Sequence, residues 1–139
     1  MIFNVLVGNT DDHARNHAAF WDGEMLALTP AYDICPQGRT GNEASQAMLI
    51  SGDNRMSQIS ACLEATHLFQ LSNEEAIHII EKQINGIVTN WDLVCDQANL
   101  AEIDRKFLWK RQFLNPFAFT DLESYAIHLR KLSDQTGLR

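Results

Sequence analysis

The first apolar run, Ile2-Phe3-Asn4-Val5-Leu6-Val7, is too short for its periodicity to separate a buried strand from the last turns of a helix. Beyond it, Asp22-Gly23 lies between two short apolar stretches. A type I′ turn needs positive φ at both central residues, and Asp-Gly tolerates that, so the pattern predicts a two-residue hairpin with strands over about 17–21 and 24–28. From Ile34 to about Arg55 the chain turns to Gly, Asn, Gln, Ser and Arg, a long irregular segment in which Met48-Leu49-Ile50 is a short strand or an anchor.

After that the period is helical. Ile59, Cys62, Leu63 and Leu68, with Ala61 and Ala65, mark a stripe through about 57–70. Ser72-Asn73-Glu74-Glu75 is a capping box, and Ala76, Ile77, Ile80, Ile84, Ile87, Val88 and Trp91 carry the next helix to about Asp96 despite Gly86. Asn99-Leu100-Ala101-Glu102 predicts a helix with Ile103, Phe107, Leu108 and Leu114 inward, stopped by Pro116. Thr120-Asp121-Leu122-Glu123 predicts a last one with Leu122, Tyr125, Ala126, Leu129 and Leu132 inward, ending near Gly137. The expected fold class is mainly α, a short hairpin near the start followed by a helical bundle. The expected single domain divides into a loop and hairpin over 1–35, a long loop over about 34–56 and helices over about 57–137.

Composition narrows the function classes. With 139 residues the chain can bury one sizeable core, and 45% hydrophobic against 21% charged residues fits a globular protein. No apolar run approaches the roughly 20 residues of a membrane span, and no secretory signal opens the chain, which points to the cytoplasm. A net charge of −7 argues against nucleic acid as a direct partner. Cys35, Cys62 and Cys95, odd in number and widely spaced, read as reduced thiols. His67, His78 and His128 read as ordinary packing or surface histidines, Trp91, Trp109 and the Phe residues as core, and Lys106, Lys110 and Arg111 as a solvated helix face.

Chemistry gathers in one place, Gly8-Asn9-Thr10-Asp11-Asp12-His13-Ala14-Arg15-Asn16. Asp11 to Asn16 is D-x-x-x-x-N, the spacing at which a protein-kinase catalytic loop places a proton-accepting Asp and a Mg²⁺-binding Asn, and such a site needs a second metal-binding Asp. Asp33 is placed to supply it. A five-residue strand runs out roughly 17 Å and its partner runs back the same distance, so the hairpin returns Asp33 to the side of Asn16. Two oxygen ligands suit Mg²⁺, which fills its octahedron with water and phosphate. Asp11 and Asp12 could instead cap a helix, and Asp33 could be a turn residue. His13 and His17, four apart, could bind a transition metal with Asp11, Asp12 or Asp33 if the stretch were helical, as in a metallohydrolase. The hairpin argues against that, because His17 then enters a strand.

Gly8 to Asn16, with Leu28-Thr29-Pro30-Ala31-Tyr32-Asp33-Ile34, closely resembles the catalytic loop and metal-binding motif of HipA-type kinases, the toxins of HipA/HipB toxin–antitoxin systems. Met48-Leu49-Ile50-Ser51-Gly52 and the helices also look like that family's C-terminal lobe, extending the resemblance over essentially the whole chain. It implies Asp11 as catalytic base, Asn16 and Asp33 as Mg²⁺ ligands, and His13 and Tyr32 as neighbours of ATP, with Asp12 given no role. It implies phosphorylation of protein Ser or Thr and restraint by a helix-turn-helix antitoxin. A kinase also needs a phosphate-covering loop and a Lys for the α/β-phosphates. No G-x-G-x-x-G or P-loop occurs here, so an N-terminal nucleotide-binding lobe is expected from outside this sequence, and the chain alone is expected to be inactive. The contrasting expectation is a non-catalytic module that binds an antitoxin-like protein or a complementary lobe.

Overall fold

Helix α3, Asn73–Gln97, is the spine of the molecule, and the computed structural model describes residues 1–135 around it. Its start follows from chemistry in the sequence. Glu75 N–H donates to Ser72 Oγ at 3.2 Å and Ser72 N–H donates to Glu75 Oε2 at 2.8 Å, so the predicted capping box forms. Ala76, Ile80, Ile84, Trp91 and Cys95 are buried along one face, each large side chain contributing about 1.5–3 kcal/mol. Trp91 closes the cluster against Trp109 and Phe113, each ring 4.9 Å away.

The first apolar run is a helix, α1 (Ile2–Val7), and it is buried against α3 and α2 (Ile59–Glu64). Gly8 ends it in the left-handed region at φ 70°, and Asn9 N–H closes back to Asn4 O at 2.8 Å. The hairpin forms from β1 (Ala19–Trp21) and β2 (Leu26–Leu28), antiparallel, with Ala19 opposite Leu28 and Trp21 opposite Leu26. Both strands are shorter than predicted and the turn differs. Of Asp22 and Gly23 only Gly23 has positive φ, and Asp22 Oδ1 instead accepts from Glu24 N–H and Met25 N–H, both at 2.8 Å. That side-chain turn replaces the type I′ geometry.

From β2 to α2 the chain is irregular, as predicted. Met48-Leu49-Ile50 forms no strand; Ile50 is a buried anchor. The predicted helix over 57–70 is α2 followed by a 3₁₀ turn, Thr66–Phe69, which leaves Leu68 exposed.

The helices after α3 depart further from expectation, because the side-chain caps expected from Asn99-Leu100-Ala101-Glu102 and Thr120-Asp121-Leu122-Glu123 do not form. Asn99, at φ 52°, closes α3: its N–H reaches Asp96 O and Leu100 N–H reaches Cys95 O, both at 3.0 Å. Helix α4 therefore spans only Glu102–Leu108 without a side-chain cap, and Ile103 and Phe107 face outward. Thr120 and Asp121 accept from Gln58 Nε2 at 2.5 and 3.0 Å, a contact across the fold that diverts both from capping. The last helical stretch is a 3₁₀ turn, Ser124–Ala126, and α5 (His128–Ser133); Leu129 and Ala126 are buried and Tyr125 is exposed. The end predicted near Gly137 lies outside the described residues. Of the Phe residues predicted as core, only Phe119 is fully buried. Lys106 is solvated, whereas Lys110 is half-buried on Ser133 O and Asp134. Cys62 and Cys95 are buried free thiols and Cys35 an exposed one. His128 pairs with Glu81 at 2.8 Å. Among the described residues no helix is long and apolar enough to cross a membrane.

Candidate functional site

The hairpin does what its arithmetic predicts. Asp33 comes back beside Asn16, whose Nδ2 donates to Asp33 Oδ2 at 3.0 Å and to Asp11 O at 3.3 Å. Three positions chosen from the sequence therefore meet: the backbone of Asp11, the carboxamide of Asn16 and the carboxylate of Asp33. Asn16 is buried on a single 3₁₀ turn, Ala14–Asn16, while Asp11 and Asp33 are exposed. Tyr32, from the same returning segment, is tied down by its hydroxyl, which donates to Arg15 O at 2.7 Å. His13 precedes the 3₁₀ turn and carries a buried Nδ1 with no partner among the described residues.

Asn9 is the organiser that sequence reasoning missed. Buried below the loop, its Oδ1 accepts Asp11 N–H at 3.1 Å, and its Nδ2 donates to Asp33 O at 3.1 Å and to Asn4 Oδ1 at 3.3 Å. One carboxamide thus fixes the start of the loop, the returning Asp33 and helix α1. Asp33 sits at φ 52°, a left-handed conformation that Asp tolerates better than most residues, and Asn9 holds the carbonyl that follows from it. The signal lay in the sequence as a polar residue directly after a helix-ending Gly8.

Gly8 is the second missed residue. A Cβ there would stand 2.3 Å from Gln112 Nε2 and 2.8 Å from Gln112 O. Gln112, buried, reaches across the fold to donate to Val7 O at 3.2 Å and Gly8 O at 3.0 Å. The loop is also pinned from outside: Gln37 N–H donates to Gly8 O and Ala47 N–H to Thr10 O. Asp12 is buried and accepts from His17 Nε2 at 2.7 Å.

That pairing bears on the transition-metal alternative. His17 is extended, at φ −126° and ψ 128°, and is committed to Asp12. No group of three or more His, Cys, Asp and Glu side chains among the described residues is arranged to hold a metal. The chemistry that Asn16 and Asp33 offer is different. The Asn16 Oδ1 has no hydrogen-bond partner among the described residues, and together with the exposed Asp33 carboxylate it makes a pair of hard oxygen donors. Such a pair fits Mg²⁺ with water and phosphate as the remaining ligands, and it does not fit a soft, nitrogen- or sulfur-seeking metal. A cleft of about 480 Å³ opens beside the pair, between α1, the hairpin and the returning segment, with Asn16, Tyr32, Leu28 and Phe3 among its walls.

No curated protein and no solved structure gives a significant match to the chain. A family model for the HipA-like C-terminal domain matches residues 1–91, which covers the whole loop, hairpin and returning Asp33 and ends within α3. With the larger part of its length matched, including Asn9, Asp11, Asn16 and Asp33, the chain belongs to the HipA-like C-terminal domain family.

Proposed function

We propose that the chain is the C-terminal catalytic lobe of a cytoplasmic HipA-like protein kinase that transfers the γ-phosphate of ATP to a protein Ser or Thr, as the toxin of a toxin–antitoxin pair. The observation that carries the reading is the convergence of Asp11, Asn16 and Asp33 at the two ends of one hairpin. In this reading the exposed Asp11 carboxylate accepts the proton of the attacking hydroxyl. Asn16 Oδ1 and the Asp33 carboxylate hold Mg²⁺, which neutralises charge on the transferring phosphoryl group when bound. Asn9 keeps Asp11 and Asp33 in register, and Tyr32, anchored on Arg15 O, borders the nucleotide with His13. The work of the residues is positioning, which a loop tied at this many points suits.

The reading includes a separate nucleotide-binding lobe and a helix-turn-helix antitoxin as partners. The exposed apolar side chains of the hairpin, Phe20, Trp21, Leu26 and Leu28, support a protein contact at this end. They also favour the second reading, a non-catalytic module that binds an antitoxin or a complementary lobe through that surface. Titration with Mg²⁺-ATP, with and without a supplied nucleotide-binding lobe, separates the two. The kinase reading expects weak binding and no turnover for the chain alone, and phosphotransfer on complementation that Asp11→Ala and Asp33→Ala each lower by about two to four orders of magnitude. Complementation without phosphotransfer, with partner binding indifferent to both substitutions, refutes the kinase reading in favour of the module.

A further inference from the structure

On the helical half of the molecule, a second cleft reverses the sign of the chain's charge. Acidic residues outnumber basic ones by 18 to 11, yet the walls of this cleft, about 680 Å³ in volume, include Lys110, Arg111 and Arg130 and no Asp or Glu. One wall comes from the segment after α4 and from α5; the other is Gly41-Asn42, in the long loop that follows Asp33. Arg111 and Arg130 are exposed and have no carboxylate within 4.0 Å among the described residues. The Arg111 guanidinium lies over the Phe107 ring, 4.3 Å from its centroid, which orients it without neutralising it.

Arg39 lies behind the wall, against two of its residues. Its guanidinium stands 5.7 Å from the centroid of Phe117, a wall residue, and its Nη2 donates to Asn42 O at 2.5 Å. Its Nε and Nη1 are buried without an acceptor among the described residues. Burial lowers the pKa of Arg39, and of Lys110 despite the opposing effect of Asp134, as expected of cations withdrawn from water with little negative charge supplied in return. Two donors left unmet on a guanidinium are costly, and they mark this side of the loop as short of negative charge. Two neutral polar groups of the walls are already engaged: Asn115 caps the 3₁₀ turn at Phe117 and Thr120 donates to Phe117 O. Of the wall cations, Lys110 is engaged by Ser133 and Asp134, and the free donors among the described residues are those of Arg111 and Arg130.

We propose that the cleft between Gly41-Asn42 and the Lys110-Arg111-Arg130 wall is a binding site for a phosphate monoester dianion, the phosphate of a phosphorylated serine or threonine side chain. A compact dianion matches a walled cleft with a few cations in its lining. A nucleic-acid backbone does not, because a chain of net charge −7 repels a long polyanion. The site bridges the loop after Asp33 and the helical half, so an occupied cleft ties the two together. It stands on residues separate from Asp11, Asn16 and Asp33, and it does not depend on the kinase reading.

The test is titration of the ¹⁵N-labelled chain with inorganic phosphate and with O-phosphoserine at constant ionic strength. Saturable shifts are expected at the amides of Arg39 to Asn42 and of Arg111, and Arg111→Gln/Arg130→Gln weakens binding about tenfold or more. Lys82→Gln, on the exposed face of α3, leaves it unchanged. If the double glutamine variant is poorly folded, Arg111→Lys/Arg130→Lys, which keeps the charge and loses the fork, serves instead and is expected to weaken binding by a smaller factor. Shifts that do not saturate, that chloride reproduces, or that both variants leave intact overturn the proposal. Tighter binding of oligothymidylate than of O-phosphoserine overturns it as well, since it makes the ligand a nucleic acid. An effect of free phosphate alone, with no response to O-phosphoserine, refutes the side-chain source.

Discussion

Replacing Asn9 by Ala removes a single buried carboxamide and cuts three ties at once, to Asn4, Asp11 and Asp33. Each bond contributes about 0.5–1.5 kcal/mol net. The partners do not share the loss equally. Asp11 and Asp33 are exposed, so water reaches the freed Asp11 N–H and Asp33 carbonyl, while Asn4 is buried and its Oδ1 is left unpaired, a cost of about 1–3 kcal/mol. The sum, with water restoring part of the two exposed bonds, is about 2–4 kcal/mol, a large share of the roughly 5–15 kcal/mol that holds a domain folded. Urea unfolding is the assay. With a slope of about 1–3 kcal/mol per molar, the midpoint falls by about 1–2 M at an unchanged slope. Amide hydrogen exchange adds a local readout, because Asp11 N–H loses its acceptor and exchanges faster than in the parent under conditions where the core does not. A midpoint shift below about 0.3 M, or an Asp11 amide that stays protected, refutes the assignment of Asn9 as the organiser of the loop.

Gly8→Ala combines a left-handed backbone with a Cβ that meets the Gln112 carboxamide, and it lowers stability by about 2–4 kcal/mol in the same unfolding assay. Pairing it with Gln112→Ala recovers part of the loss, since the clash goes with the side chain, and strict additivity counts against the contact. The Ser72 backbone N–H and hydroxyl hold the Glu75 carboxyl below the usual carboxylate range. Its contribution is therefore full above that range and is lost as pH falls through the lowered value, so the destabilisation by Ser72→Ala, read from thermal midpoints, shrinks towards acid pH. Burial pushes the Cys62 thiol up to about 12, and Cys95 is also buried, so a thiol reagent titrates one fast equivalent from Cys35 in the native chain. Cys35→Ser removes that fast phase and leaves the slow ones.

The site was more legible in the sequence than the fold around it, for a physical reason. The loop, the Asp22-Gly23 turn and Asp33 span fewer than 30 residues, and a hairpin converts such local spacing directly into proximity. The capping box at Ser72 is equally local, and it held. What was not legible depends on contacts across the chain. Gln58 claims Thr120 and Asp121, and Gln112 claims Gly8, at separations of 62 to 104 residues that no pattern in a short window reveals. Asn99 shows a second limit: the residue that resembles a cap for the next helix is used to close the previous one, and both uses satisfy the same side-chain preference. The ambiguity of Ile2 to Val7 was resolvable in principle, because Gly8 followed by Asn9 is a helix-stop signal and argues against a strand.

The uncovered hairpin has a practical consequence for optical work. The three tryptophans fall into two classes: Trp21, on β1, is 63% exposed, whereas Trp91 and Trp109 are 4% and 7% exposed and pack against each other in the core. Emission from Trp21 is therefore red-shifted and open to collisional quenchers, and emission from the buried pair is blue-shifted and shielded. A protein that covers the hairpin removes the quenchable fraction while leaving the other untouched, and unfolding of the core does the reverse. The chain carries separate intrinsic reporters for docking at one end and integrity at the other, with no label to attach.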